Sequence, residues 1–256
     1  MILRVDNASY SYGGKENVFE DISFFLKKGE TLCILGPNGI GKSTLLKCLG
    51  NVLKLSEGSV FIEGKDISSM SRTEIAQKIG YVPQSDQSVF PFSILDFVML
   101  GRAPHLPFFS SPGEKDLTIA ENAINKVGIS HLRDRPVTEV SGGERQLALI
   151  ARALAQEPEI LLLDEPTSHL DFGNQVRVLN LIERLASQGT SVIMSTHFPD
   201  HGFIGSKKVA IMLENDFIDQ GTAEEVITKE NMALAYGVDV TIDHVSSIQR
   251  NVCLPL

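Results

Sequence analysis

Near-continuous apolar runs recur along the chain, at TLCILG (31–36), EILLLDE (159–165), SVIMSTH (191–197) and KVAIMLEN (208–215). Strands that are apolar at almost every position are buried on both faces, as in a parallel sheet. Polar and apolar positions at helical spacing lie between them, from Lys42 to Val52 and over 172–188. Strands alternating with helices predict an α/β fold whose mainly parallel sheet is covered on both sides. The N-terminal stretch differs. ILRVDNASYSY and ISFFLKKGE are β-like runs split by GGKEN. GSVFIEG (58–64) and GYVPQ (80–84) add further strands, with a short helix at SRTEIAQKI between them.

Residues 85–156 change character and read mainly as helix. SPGEKDLTIAENAINKVG predicts a helix with Ser111 as N-cap, Pro112 at its first position and Glu114 closing a capping box. Leu117, Ala120, Ile124 and Val127 keep one face apolar, and Gly128 supplies the stop. Beyond 221 the pattern is mixed. A helix starts at TAEEVI, YGVDVTIDHV follows, and the terminal IQRNVCLPL has no predicted structure.

Charge narrows the function. The net charge of −9 argues against a broad nucleic-acid footprint. The apolar runs are too short to span a bilayer, and the N-terminus has no signal-peptide order. Cys33, Cys48 and Cys253 form no C-x-x-C pair or zinc spacing and read as reduced thiols. His197 and His201 stand four apart, but Pro199 between them argues against a metal-holding helix.

Two segments carry chemistry. GPNGIGKST (36–44) fits G-x-x-x-x-G-K-[ST] between a strand and a helix. Its glycines let backbone N–H groups close on phosphate oxygens at the helix N-terminus. Lys42 offers a point charge to the β- and γ-phosphates, and Ser43 a hydroxyl to Mg²⁺. ILLLDEP places Asp164 at the carboxyl end of a buried strand, where ligands bind in open α/β sheets. Asp164 suits the Mg²⁺, through water, and Glu165 can orient or deprotonate an attacking water. Gln84 and His197 also end strands of this sheet. Each reads as a polar terminus on its own and as a γ-phosphate contact in company.

A second glycine loop, EVSGGERQLALI (139–150), has no lysine. Ser141 and Glu144 fit a capping box, and Leu147, Ile150 and Leu154 give the helix an apolar face. The box leaves Gly142 and Gly143 unexplained. Glycines at a helix start suit close approach of an anion, and half a phosphate cradle suits completion of another molecule's site.

With these motifs in order, the whole chain resembles the nucleotide-binding subunit of an ABC transporter. GPNGIGKS resembles the Walker A motif and ILLLDE the Walker B motif. VSGGERQ resembles the signature, usually LSGGQ, with Val140 for Leu and Glu144 for Gln. SHLD (168–171) resembles the D-loop, Gln84 the Q-loop, His197 the switch histidine, and Tyr12 the aromatic that stacks on adenine, with Tyr10 the competitor. The resemblance implies a P-loop NTPase (RecA-like) core, an antiparallel N-terminal β subdomain and a helical insert. The core would take 1–84 and 157–220, the helical signature subdomain 85–156 and the tail 221–256.

The resemblance also implies ATP and Mg²⁺ as ligands. Nucleotide would be held by Tyr12, Gly36, Pro37, Asn38, Gly39, Ile40, Gly41, Lys42, Ser43, Thr44, Ser141, Gly142, Gly143, Glu144 and Asp171. The metal would take Ser43, Gln84 and Asp164, and catalysis Glu165, His197, Lys42 and Gln84. Partners would be a second copy packed head to tail, so that each signature loop caps the other's ATP, then a permease and, indirectly, a substrate-binding protein, but no nucleic acid. The place would be the cytoplasmic face of the membrane. VFPFSILDFVMLGRAPHLPFFS and DEPTSHLDFGNQ resemble the importer branch for iron–siderophores, haem, cobalamin and related chelates, with molybdate or tungstate also open. THFPDH departs from the usual THD. The surface near Phe90, Phe92, Phe108 and Phe109 reads as a permease-docking groove or as ordinary subdomain core. A soluble ABC-type ATPase, such as one for iron–sulfur assembly, is the alternative, and a small-molecule P-loop kinase would have no use for a signature loop.

Overall fold

The computed structural model describes residues 1–14, 16–84, 90–107 and 109–256. β1 (Leu3–Ser11) pairs antiparallel with β2 (Asn17–Leu26), and β3 (Thr31–Leu35) leads into α1 (Lys42–Leu49). β4 (Glu57–Ile62) returns to β1, and β5 (Lys65–Asp66) pairs with β4. α2 (Arg72–Lys78) runs into β6 (Ile79–Val82). Helices then dominate, with α3 (Ile94–Met99), α4 (Glu114–Val127) and α5 (Gly142–Leu154). β7 (Ile160–Leu163), α6 (Phe172–Ser187), β8 (Ser191–Thr196), α7 (Asp200–Phe203), β9 (Lys208–Leu213) and β10 (Asp216–Gly221) follow. α8 (Ala223–Val226), α9 (Lys229–Tyr236), β11 (Val240–Val245) and β12 (Arg250–Pro255) complete the chain.

The central sheet has the order β10-β9-β3-β8-β7-β6, parallel except for β10. The expected α/β class with a mainly parallel sheet is therefore present, beside an antiparallel sheet of order β2-β1-β4-β5. Alternation along the strands divides the core. Cys33, Leu35, Leu161, Leu163, Val192 and Met194 face the cluster shared with α3, α4, α5 and α6. Leu32, Ile34, Ile160, Leu162 and Ile193 face the cluster shared with α1 and the antiparallel sheet. Both faces are dry, so polar residues enter these strands only near their ends, as at Thr31, Ser191 and Ser195.

Register aligns those ends. Leu35 lies opposite Thr196, and Leu163 opposite Met194 and Val82. The loops after β3, β6, β7 and β8 thus open at one edge, and these loops hold the phosphate-loop residues, Gln84, the acidic pair and His197.

Two expectations are corrected. The helix predicted from Ser111 begins at Glu114 with Gly113 as N-cap, and the Gly113 N–H donates to Asp116 Oδ2 at 3.1 Å. Asp116, not Glu114, closes the turn because the cap lies two residues later than Ser111. The terminal segment is a strand. β12 pairs with β11 throughout, and the Cys253 N–H donates to Asp200 Oδ1 at 2.8 Å, tying the hairpin to α7. Phe90, Phe92 and Phe109 are exposed, so these three are not subdomain core, while Phe108 lies outside the described residues. Among the described residues no helix is long and apolar enough to cross a membrane.

Candidate functional site

The phosphate loop is built for an anion. Gly39 and Gly41 adopt φ of 82° and 111°, which a side chain would oppose. A Cβ on Gly41 would also stand 2.8 Å from Val18 Cγ1. Gly41 caps α1 with no side-chain bond, and α1 has no acidic residue in its first turn. Its leading amides are therefore left for a ligand. A cleft of about 440 Å³ opens here, lined by Tyr12, Asn38, Gly39, Gly41, Lys42, Ser43, Thr44, Gln84 and Glu165, with Val18 below. That volume suits a small-molecule ligand.

Lys42 is buried and folds back on its own loop. Its Nζ donates to Gly36 O at 2.7 Å and Pro37 O at 2.8 Å and stands 3.5 Å from Glu165 Oε1. Burial pushes its pKa down, while Glu165 and then Asp164 pull it back up. Ile40, within the loop, packs partly buried against the core shared with α1 and the antiparallel sheet. Tyr12 is 52% exposed with its hydroxyl 3.4 Å from Thr44 Oγ1, whereas Tyr10 is in the core. Of these two tyrosines, Tyr12 presents its ring to the cleft.

The acidic pair meets the loop as the register requires. Ser43 Oγ donates to Asp164 Oδ1 at 2.8 Å. Glu165 Oε2 accepts from Gln84 Nε2 at 3.1 Å and stands 3.3 Å from His197 Nδ1, which is not aligned for a hydrogen bond. Ser43, Asp164 and the Gln84 amide are hard oxygen donors, and a single carboxylate with a hydroxyl suits Mg²⁺ bound largely by phosphates and water. The adjacency of Ser43 and Asp164 fits that ion.

Ser141, Gly142, Gly143, Glu144 and Asp171 stand outside the lining of this cleft. Glu144 accepts from the Ser141 N–H at 2.9 Å and the Ser141 hydroxyl at 2.8 Å, and these bonds, the backbone one first, hold its carboxyl below the ordinary value. Gly143 has an explanation within the chain, since a Cβ there would collide with the Asn174 side chain. Asp171 caps α6, accepting from the Asn174 N–H at 2.9 Å and Asn174 Nδ2 at 2.8 Å. A Cβ on Gly142 would meet nothing within 4 Å.

Two contributors escaped the sequence reading, and His201 was read there only against a metal. Ser195 and Tyr81 read as interior strand residues, yet both bond Asp164, at 2.8 Å and 3.3 Å. His201 Nδ1 lies 2.9 Å from Thr196 Oγ1 and 3.5 Å from Thr167 Oγ1, and burial, then the nearby His197, lower its pKa to about 4. Only the polar residues closing β8 hinted at these contacts.

The profile of the ABC transporter family matches residues 19–168. The chain belongs to that family. It is an ATP-hydrolysing transport ATPase subunit and binds ATP. It is 37% identical to the molybdate import ATP-binding protein of Haemophilus influenzae, over 91% of this chain and 87% of that one. It is 33% identical to the iron(3+)-hydroxamate import ATP-binding protein of Bacillus subtilis, over 98% and 94%. Among solved structures, a metal-chelate type ABC transporter in an inward-facing conformation superimposes with a TM-score of 0.88 at 34% identity, covering 100% of this chain and 97% of that one. A dimeric ATP-binding cassette bound to ADP and phosphate gives 0.74 at 26% identity, covering 87% and 99%.

Proposed function

We propose that this ABC ATPase powers a membrane importer for an iron–siderophore, haem, cobalamin or related metal chelate or oxyanion. The observation that carries the reading is likeness along the whole chain to a metal-chelate type transporter. Relatives named for iron-hydroxamate and molybdate import agree with it and leave the cargo unassigned. The chain would sit on the cytoplasmic face of the membrane, with residues 1–84 and 157–220 as nucleotide core, 85–156 as signature subdomain and 221–256 as tail. Exposed Phe90, Phe92 and Phe109 offer an apolar surface to a permease.

ATP would stack its base on Tyr12 and lay its phosphates along the Gly36–Thr44 loop. Lys42 would exchange the Gly36 and Pro37 carbonyls for phosphate oxygens. Ser43, Asp164 and Gln84 would hold Mg²⁺, which neutralises phosphate charge when bound. Glu165 would take a proton from the water that attacks the γ-phosphorus, giving ADP and phosphate, while Gln84 would hold its carboxylate in place and His197 would stand beside it. Ser141, Gly142, Gly143 and Glu144, with Asp171 beside them, would close over the ATP of a second copy, so that hydrolysis releases the dimer.

Affinity purification of the tagged chain from detergent-solubilised native membranes tests the importer reading. A polytopic permease with a substrate-binding protein is the expected result. Only soluble partners would overturn import in favour of an assembly ATPase.

A further inference from the structure

We propose that Ser195 is a positioning residue that sets Asp164 and Glu165 in register with one another. The inference rests on the reading of these two residues as metal-side and water-side carboxylates. Glu165 leaves β7 with φ of 46°, a left-handed conformation that side chains disfavour and that surrounding structure must hold. Its backbone N–H donates to Ser195 Oγ at 3.0 Å. The same hydroxyl donates to Asp164 Oδ1 at 2.8 Å. Ser195 is 0% exposed, so both bonds are made away from bulk water. Its acceptor and donor are both committed, and rotating the hydroxyl would orphan a buried amide.

The strand amplifies this link. Ser195 and His197 are two apart on one chain segment, and His197 stands 3.3 Å from Glu165 Oε2. The β8 segment thus bonds Glu165 at its amide, stands beside its carboxylate, and bonds Asp164 Oδ1. Ser43 reaches the same Asp164 oxygen from α1. Ser195 reaches the acidic pair from β8 rather than from the phosphate loop. Without it, Asp164 loses one donor and the Glu165 turn loses the bond that fixes its amide. A displacement near 1 Å at a reacting group is enough to cost about 100-fold in rate.

The test compares Ser195→Ala, Ser195→Cys and wild type as full chains, with Lys42→Ala as control. Wild-type turnover that does not depend on Lys42 would strike the site reading itself rather than the role of Ser195. Given dependent turnover, Ser195→Ala is expected to lower kcat at least about tenfold with KM for ATP within about twofold. Hydrogen exchange should show lost protection of the Glu165 amide, and ATP binding in EDTA should be unchanged. Ser195→Cys, a weak donor and acceptor of similar shape, should fall between. Wild-type kcat in Ser195→Ala, or a loss confined to KM, would overturn the proposal. Should Ser195→Ala not fold, Ser195→Cys with wild-type melting and wild-type kcat overturns it, and a reduced kcat at unchanged KM supports it.

Discussion

The two signature glycines should respond oppositely to the same substitution. In Gly143→Ala the new Cβ would stand 2.5 Å from Asn174 Cγ and 3.0 Å from its Cβ. Asn174 must then move and release Asp171 Oδ2, which it holds at 2.8 Å. A lost hydrogen bond of about 1 kcal/mol and overpacking strain of about 1–2 kcal/mol together destabilise the chain by about 2–3 kcal/mol. For a chain of this size that lowers Tm by roughly 5–10 °C. Gly142→Ala meets open space and sits at a helix start, so Tm should hold or rise, by at most about 1 kcal/mol of helix propensity. On the proposed dimer its effect would lie at the interface, where the methyl would occupy the approach of the partner's γ-phosphate. Loss of such an anion-stabilising contact costs about 100-fold in rate. Thermal denaturation without nucleotide and steady-state ATPase assays read the two effects apart. Wild-type hydrolysis by Gly142→Ala would refute the docking role. An unchanged Tm in Gly143→Ala would refute the packing argument.

Two other perturbations test the frame of the site. His201 is held neutral, with a folded pKa of about 4 against an ordinary 6.5, so its contribution is complete above pH 6.5 and fades as pH falls toward 4. At about 1.4 kcal/mol per unit, up to about 3 kcal/mol is lost across that window. Urea unfolding against pH should show this loss in wild type and a flatter profile in His201→Gln. Arg102 is buried between Asp116, Glu157 and the Ala155 carbonyl, at 2.9, 3.0 and 2.6 Å. Arg102→Met should lower the urea midpoint because the Ala155 carbonyl loses its buried donor, and an unchanged midpoint would contradict that.

What could be read from the sequence is what short-range pattern encodes. The runs around Leu32–Leu35, Ile160–Leu163 and Val192–Met194 announce a sheet buried on both faces, and GPNGIGKST announces its own chemistry by spacing. Register was inaccessible, and with it Ser195 and Tyr81, whose polar atoms matter only because β6 and β8 flank Asp164. The Ser111 cap failed because Gly113 and Asp116 offered a rival turn two residues on. The tail hairpin was hidden because its anchor, Asp200, lies 53 residues from Cys253. Gly143 reads as a ligand glycine, and the packing against Asn174 that also requires a glycine there comes from a helix no local pattern connects to it.

The central claim is that ATP joins two copies across the signature loops and that Glu165 drives their release. Sedimentation velocity of Glu165→Gln, with and without Mg-ATP, tests it most directly. The account predicts a 28.0 kDa species that ATP converts to one of twice that mass, persisting because hydrolysis is blocked. A chain that binds ATP yet keeps the monomer mass, or that turns over ATP at the wild-type rate, would contradict it.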